Sequence, residues 1–454
     1  MKFRTQRVAY WYLAVAALLF LLQVADGLII ASQYIYPDLF RDFFPFNVGR
    51  TWHLNLLVLW LVIGFMGATY YVVPEESGRE LWSPRLAYLQ LAILFVTGVA
   101  ALTGFVAANF FPSLWLTEGR EYIEAPRWAD WLIVLAVLIF AINNGWTMVK
   151  RTRPFTATVG VLTMGMIGLA LMYLAGMKTF SNVTVDQFFW WWVVHLWVEG
   201  TWELIAAALM AFLMVRLTGV DREVVEKWLY VEVGLVLFTG ILGTGHHYYW
   251  IGTPSYWLII GGVFSALEPI PIMAMVVDAW RMTRVRHRPH PNPNPVSFTW
   301  AVGSVIGHFF GAAVWGFAHT LPQVNKWTHG TQVTPAHGHF AFYGAYVMLI
   351  IALTYYMVPE IKGMTARLGR RGLWAFWLIS SGVVGMVLSL TIAGIVQVYM
   401  QRMAGLDFIF VKTTYMSFWF ALRAIFGGVT ALGVVVYVWD LVSLGREKER
   451  NKDG

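Results

Sequence analysis

Residues 193–204 read VVHLWVEGTWEL and follow directly on FFWWW. The segment is apolar enough to enter a bilayer, yet it sets His195, Glu199 and Glu203 at four-residue intervals on one helix face. Ionisable groups inside a membrane are costly and are kept where they pair or act. Working outward, the chain has 454 residues, of which 58% are hydrophobic and 13% charged, a balance no soluble globular protein of this length needs. Apolar runs of about 20 residues, the length that crosses a bilayer, recur from end to end. The fold class is therefore all-α: a polytopic membrane protein.

Twelve spans are expected, near 9–33, 51–74, 86–108, 128–149, 155–176, 186–216, 224–251, 254–279, 295–320, 335–358, 372–400 and 410–443. Pro, Gly and charged residues collect in the connectors, as in YVVPEESGRELWSP and RVRHRPHPNPNP. With no long hydrophilic stretch and no clear internal repeat, residues 1–454 read as a single integral membrane domain. The N-terminal MKFRTQR lacks a small-residue cleavage site after it, so the first span is expected to be retained. If the N-terminus is cytoplasmic, inner segments hold 23 of the 32 Lys and Arg and outer ones 8, with Arg423 inside the last span. That asymmetry sets both termini on the cytoplasmic side. It also accounts for the net charge of +7 through topology, so nucleic acid is not an expected partner. The chain has no Cys, which excludes disulfides, iron–sulfur clusters, thiolate metal sites and covalent attachment of a c-type haem.

Orientation lets each span be read by depth. His53, His195, His246, His247, His337 and His339 then converge from four helices on the outer half of the membrane. One such histidine reads as a polar residue bonded to a neighbouring helix; six at matched depth read as metal or haem ligands. His287 and His290 sit in a basic cytoplasmic loop, and His308, His319 and His329 stay unassigned. In PAHGHFAFYG, His337 and His339 project about 200° apart, so they serve cofactors on opposite sides of one helix. Paired with His53, one of them completes a bis-histidine haem, and the other is the sole protein ligand of a second. In GTGHHYYW the adjacent histidines project about 100° apart and reach one metal, with His195 as a third imidazole.

HLWVEGTWE, GTGHHYYWIG and HGHFAFYGAYVM together resemble the haem–copper oxidase superfamily, and within it the catalytic large subunits of cytochrome c-dependent nitric oxide reductases. The resemblance covers essentially the whole chain and implies the twelve-helix bundle of that superfamily. It also implies that His195, His246, His247 and Glu199 hold a non-haem Fe, that His337 binds the high-spin haem b3, and that His53 and His339 bind the low-spin haem b. Oxygen-reducing members typically carry a tyrosine four residues after the first metal histidine; here that position is Glu199. A hard carboxylate beside three imidazoles suits iron better than copper, although zinc accepts the same set. The expected reaction joins two nitric oxide molecules into nitrous oxide, as in denitrification and anaerobic respiration. A terminal oxidase reducing O2 is the alternative.

Glu203 and Glu268 (in FSALEPIP) are buried carboxylates, read as protonated structural groups or, as the resemblance implies, as catalytic groups delivering protons. Glu232 and Asp278 are placed near the cytoplasmic boundary, so protons are expected from the outer side, without pumping. In the outer loop LTEGREYIEAPRW, the resemblance implies a glutamate that helps hold Ca against haem propionates, where hard oxygen ligands are apt. Glu121 is the candidate, with Glu124 lining a proton route or sharing the Ca. Electrons come from elsewhere: the resemblance implies a membrane-anchored cytochrome c subunit docked on the outer face, fed by a soluble cytochrome c or cupredoxin. Quinol is the less expected donor. The expected location is a bacterial inner (cytoplasmic) membrane, multi-pass, with the active site toward the periplasm.

Overall fold

The computed structural model describes residues 2–285, 294–364 and 370–444. His287 and His290 lie outside them. Among the described residues twelve helices are long and apolar enough to cross a membrane, and there is no strand. They are α1 (Arg4–Gln33), α2 (Phe46–Ser77), α3 (Pro84–Ala108), α4 (Arg127–Val149), α5 (Ala157–Gly176) and α6 (Val183–Thr218). The second half comprises α7 (Arg222–His247), α8 (Tyr256–Arg284), α9 (Pro295–Thr320), α10 (Val333–Ile361), α11 (Arg370–Met403) and α12 (Phe408–Ser443). A short helix, Pro322–Thr328, joins α9 to α10. Every expected span is present, with ends shifted by a few residues.

Local chemistry explains the starts and stops. Ser83, Thr156, Asn182 and Asn294 each cap a helix by accepting a backbone N–H two or three residues into it, and Pro84 and Pro295 occupy first-turn positions. Gly78 and Gly219 end α2 and α6 at φ of 70° and 67°, a left-handed conformation that L side chains resist.

Three helices form the centre. The apolar windows of α2, α6 and α10 are 78%, 83% and 83% buried, against 33–50% for the other nine. These three carry His53, the His195–Glu199–Glu203 stripe, and His337 with His339. Trp202 of α6, fully buried, locks them together through edge-on contacts with Phe65 of α2 at 6.1 Å and with Phe342 and Tyr346 of α10 at 6.2 and 5.6 Å. Each such aromatic pair contributes about 0.5–1.5 kcal/mol beyond area burial. At the end of the bundle where the basic loops lie, buried Glu76 accepts two bonds from Arg222, at 2.7 and 2.9 Å, and buried Glu75 binds Arg216 at 2.7 Å and Lys2 at 3.0 Å.

The helices are not uniform. π-helical turns occupy Leu196–Trp202 in α6, His308–Val314 in α9 and Tyr343–Val347 in α10. Such turns recur at functional sites. The first contains Glu199. Another departure concerns Glu232, expected at the cytoplasmic boundary. It is 1% exposed and lies about ten residues inside α7, well within the membrane-spanning length.

Candidate metal centre

The closing turn of α7, Thr244–His247, is a 3-10 helix rather than a continued α-helix. It exists because α7 and α8 meet backbone to backbone there. A Cβ on Gly245 would stand 2.0 Å from the Trp257 carbonyl oxygen, and one on Gly261 would stand 2.1 Å from the His246 nitrogen. Only glycines permit that approach. The tight turn swings His246 and His247 toward α6, where His195 is completely buried.

Ligand-capable atoms of His195, Glu199, His246 and His247 all lie within 4.8 Å of one another. Glu199 is the hub. Its Oε2 is 3.4 Å from His195 Nδ1, and its Oε1 is 3.5 Å from His246 Nε2 and 3.3 Å from His247 Nε2. The two facing Nε2 atoms of His246 and His247 are 2.8 Å apart. Both ring nitrogens of His195 and Nδ1 of His246 have no hydrogen-bond partner. Orphaned imidazoles around a carboxylate are costly on their own and fit a common cation. His247 is held in place by stacking on Trp191, with ring centres 5.2 Å apart at 7°.

A second carboxylate backs the first histidine. Glu268 Oε1 lies 3.7 Å from His195 Nε2, the nitrogen turned away from Glu199. A carboxylate on the far nitrogen is the usual outer partner of a metal-binding imidazole. Glu203, one turn beyond Glu199, is 3.9 Å from His308 Nε2, and its Oε2 has no partner. His308 is thereby drawn into the neighbourhood, a contact the sequence left open.

The two histidines of α10 separate as expected. His339 Nδ1 donates to the Pro335 carbonyl at 2.6 Å and His337 Nδ1 to that of Gly311 at 3.1 Å, which leaves both Nε2 atoms unprotonated and free. His339 faces His53 with ring centres 6.1 Å apart. A metal ion held between the two rings would fit that separation. Residues 337–342 are all partly open, although they sit in one of the most buried helices, and a Cβ on Gly338 would meet nothing within 4 Å. Space therefore remains around this stretch of α10, as flat prosthetic groups beside it would need.

Asp26 of α1, which sequence reasoning missed, is 4% exposed and holds Oδ2 3.5 Å from His53 Nδ1. As the lone acid within an apolar span, it carried a usable signal. In the loop between α3 and α4, Glu121 pairs with Arg50, Glu118 binds Arg127 at 2.6 Å, and Glu124 turns inward to accept from Asn55 at 2.8 Å. Burial pushes the Glu124 carboxyl above the ordinary carboxylate range, against the Asn55 hydrogen bond that pulls it down.

The family model "Cytochrome C and Quinol oxidase polypeptide I" matches residues 7–429. A nitric oxide reductase subunit of Stutzerimonas stutzeri is 44% identical over 98% of this chain and 96% of its own length. The chain belongs to the haem–copper oxidase superfamily, in its nitric oxide reductase branch. Oxidases of the superfamily stand further off. A cytochrome c oxidase subunit 1 homolog of Agrobacterium tumefaciens is 24% identical over 93% of this chain and 81% of its own. Cytochrome c oxidase subunit 1 of Rhodobacter capsulatus is 21% identical over 83% and 72%. As a member of this branch the chain is an oxidoreductase and a multi-pass membrane protein, and the superfamily implies haem and a metal centre within the bundle.

Proposed function

We propose that this chain reduces nitric oxide to nitrous oxide at a dinuclear centre formed by haem b3 and a non-haem iron. Two nitric oxide molecules, two electrons and two protons give one nitrous oxide and one water. The observation that carries this reading is Glu199, whose carboxylate stands within 3.5 Å of nitrogens from all three clustered histidines. A hard anionic donor there favours iron over copper. When bound, the metals orient substrate and stabilise negative charge developing on oxygen.

In this reading His195, His246, His247 and Glu199 hold the non-haem iron, His337 holds haem b3, and His53 and His339 hold haem b. Glu268 keeps the His195 ring oriented, and Glu203 and Glu268 hold protons close to the site. The tautomers of His337 and His339, set by Gly311 and Pro335, present a neutral ring nitrogen to each haem. Asp26 restrains His53 from behind. The whole span 1–454 works as one catalytic membrane unit with both ends cytoplasmic and the site toward the periplasm of a bacterial inner membrane.

The Stutzerimonas relative is named as one subunit of its reductase, which supports a companion chain here. We assign that role to a membrane-anchored cytochrome c, which passes electrons from a soluble cytochrome c or cupredoxin to haem b. A calcium ion held in part by Glu121, with Glu124 beside it, completes the cofactor set; Arg50 is then the cation that calcium binding must displace or share. The test is an iron, copper and haem count on purified protein, with nitric oxide and oxygen consumption measured side by side. Iron without copper and selective nitric oxide consumption are expected. One copper per chain, with oxygen consumed in preference, overturns the reading.

A further inference from the structure

Glu232 has no part in the site just described, yet the packing of α6 against α7 carries it there. Leu196 Cδ2 lies 3.3 Å from where a Cβ on Gly240 would stand, and Val236 Cγ1 lies 3.7 Å from one on Gly200. The helices run in opposite directions, so one further turn inward sets Glu232 level with Glu203 and Leu204. Leu229, Glu232, Val236, Gly240 and Gly243 form one buried stripe of α7, which turns the carboxyl into the bundle and away from lipid.

Its charge is not neutralised by a cation among the described residues. There, neither carboxyl oxygen of Glu232 has a hydrogen-bond partner, and Glu203 Oε2 and His308 Nε2 are equally unpartnered. The nearest lysine along α7, Lys227, is about 7.5 Å away along the axis and is engaged by Asp278 at 2.6 Å. Glu203 lies across the α6–α7 packing from Glu232, and Glu199, Glu268, His308 and the Tyr346 hydroxyl are among the ionisable groups around the pair. Two neighbouring carboxyls without a cation cannot both be ionised in a low-dielectric interior. At least one keeps its proton, beside a reaction that consumes two.

We propose that Glu232 is a proton-holding residue of the metal site, the α7 member of a Glu232–Glu203 pair that stores protons for turnover. This rests on the nitric oxide-reducing reading, whose proton demand the pair serves. As Glu203 releases its proton toward the site, the O–H bond of Glu232 breaks and its proton forms an O–H bond on the Glu203 carboxylate. No electron moves, and uptake from bulk water restores Glu232. Storage within the bundle lets the chemical step proceed ahead of that slower uptake.

The experiment compares wild-type protein, Glu232→Gln and Glu232→Asp, each purified with its companion chain. The readouts are iron and haem content, the infrared carbonyl band of protonated carboxylic acids on reduction, and proton uptake by a pH-sensitive dye after mixing reduced protein with nitric oxide. Glu232→Gln is expected to keep iron and haem, lose one carboxylic acid band, and slow the proton-coupled phase at least about tenfold. Glu232→Asp is expected to restore a shifted band and much of the rate. A glutamine variant with wild-type proton kinetics overturns the proposal, whether or not a band is lost. So does loss of iron in both variants, which makes the role structural. Wild-type protein that consumes no nitric oxide refutes the functional reading instead.

Discussion

Gly27 offers a direct steric test of the His53–His339 pair. A Cβ there falls 2.9 Å from Cε1 of His53 and 3.3 Å from its Nδ1, whereas ordinary contact begins at 3.4 Å. In Gly27→Ala the imidazole must therefore yield by about 0.5 Å, the difference between 3.4 and 2.9 Å. Metal–ligand distances tolerate only about 0.2 Å. The same displacement disturbs the contact with Asp26, already at 3.5 Å. Losing the support behind a metal-binding histidine typically costs about 10–100-fold in affinity, or about 1.4–2.7 kcal/mol. Alanine favours a helix over glycine by up to about 1 kcal/mol, so a weakened α1 is not the cause. Electron paramagnetic resonance of the oxidised protein reads the outcome: the low-spin haem signal falls and a high-spin one grows. Gly234→Ala, whose Cβ meets nothing within 4 Å, serves as control and leaves the spectrum unchanged. A Gly27→Ala protein with an intact low-spin signal and an unshifted reduction potential would refute the pairing.

Other substitutions probe the remaining parts. Glu199→Gln retains the volume but removes the anionic donor, so elemental analysis should find iron affinity reduced about 100-fold or more with haem retained, and nitric oxide consumption lost. Full iron occupancy in that variant sinks the ligand assignment. The buried Glu124 carboxyl binds its proton more tightly in the folded chain than in the unfolded one. Stability from this group is thus fully present below its ordinary pKa of 4.5 and is lost as pH rises through the raised folded value. Thermal unfolding in detergent should show that decline in the wild type and a flatter profile in Glu124→Gln. Finally, Arg222→Met strips Glu76 of its two-bond partner. Removing one member of a buried pair costs about 3–5 kcal/mol; since the Arg222 side chain is 36% exposed, about 2 kcal/mol is expected here. An unchanged midpoint of unfolding would show that the pair contributes nothing.

Much of this was readable from residue order. The shared face of His195 and Glu199 in α6 follows from spacing, since residues four apart on a helix lie one above the other. The opposite projection of His337 and His339 follows from two-residue spacing, and their separate partners, Gly311 and Pro335, agree with it. Asp26 stands out in the sequence only as the lone acid of its span and His308 not at all, because each acts on a group from another helix. Glu232 was misplaced for a related reason. A carboxylate ten residues into a span looks like an interface residue until the crossing of α6 and α7 shows which way it faces.

Hydropathy and helix period are local properties, set within one turn or one span. For that reason the sequence by itself determined the twelve helices, their class and the faces that carry imidazole and carboxylate. Distances between helices depend on how closely two backbones approach, and that depends on small residues meeting across an interface, as Gly245 meets α8 and Gly261 meets α7. Only the tertiary structure decided that the last turn of α7 tightens to a 3-10 helix, that Glu199 becomes the hub of three histidines, and that His53 and His339 come to face each other with ring centres 6.1 Å apart.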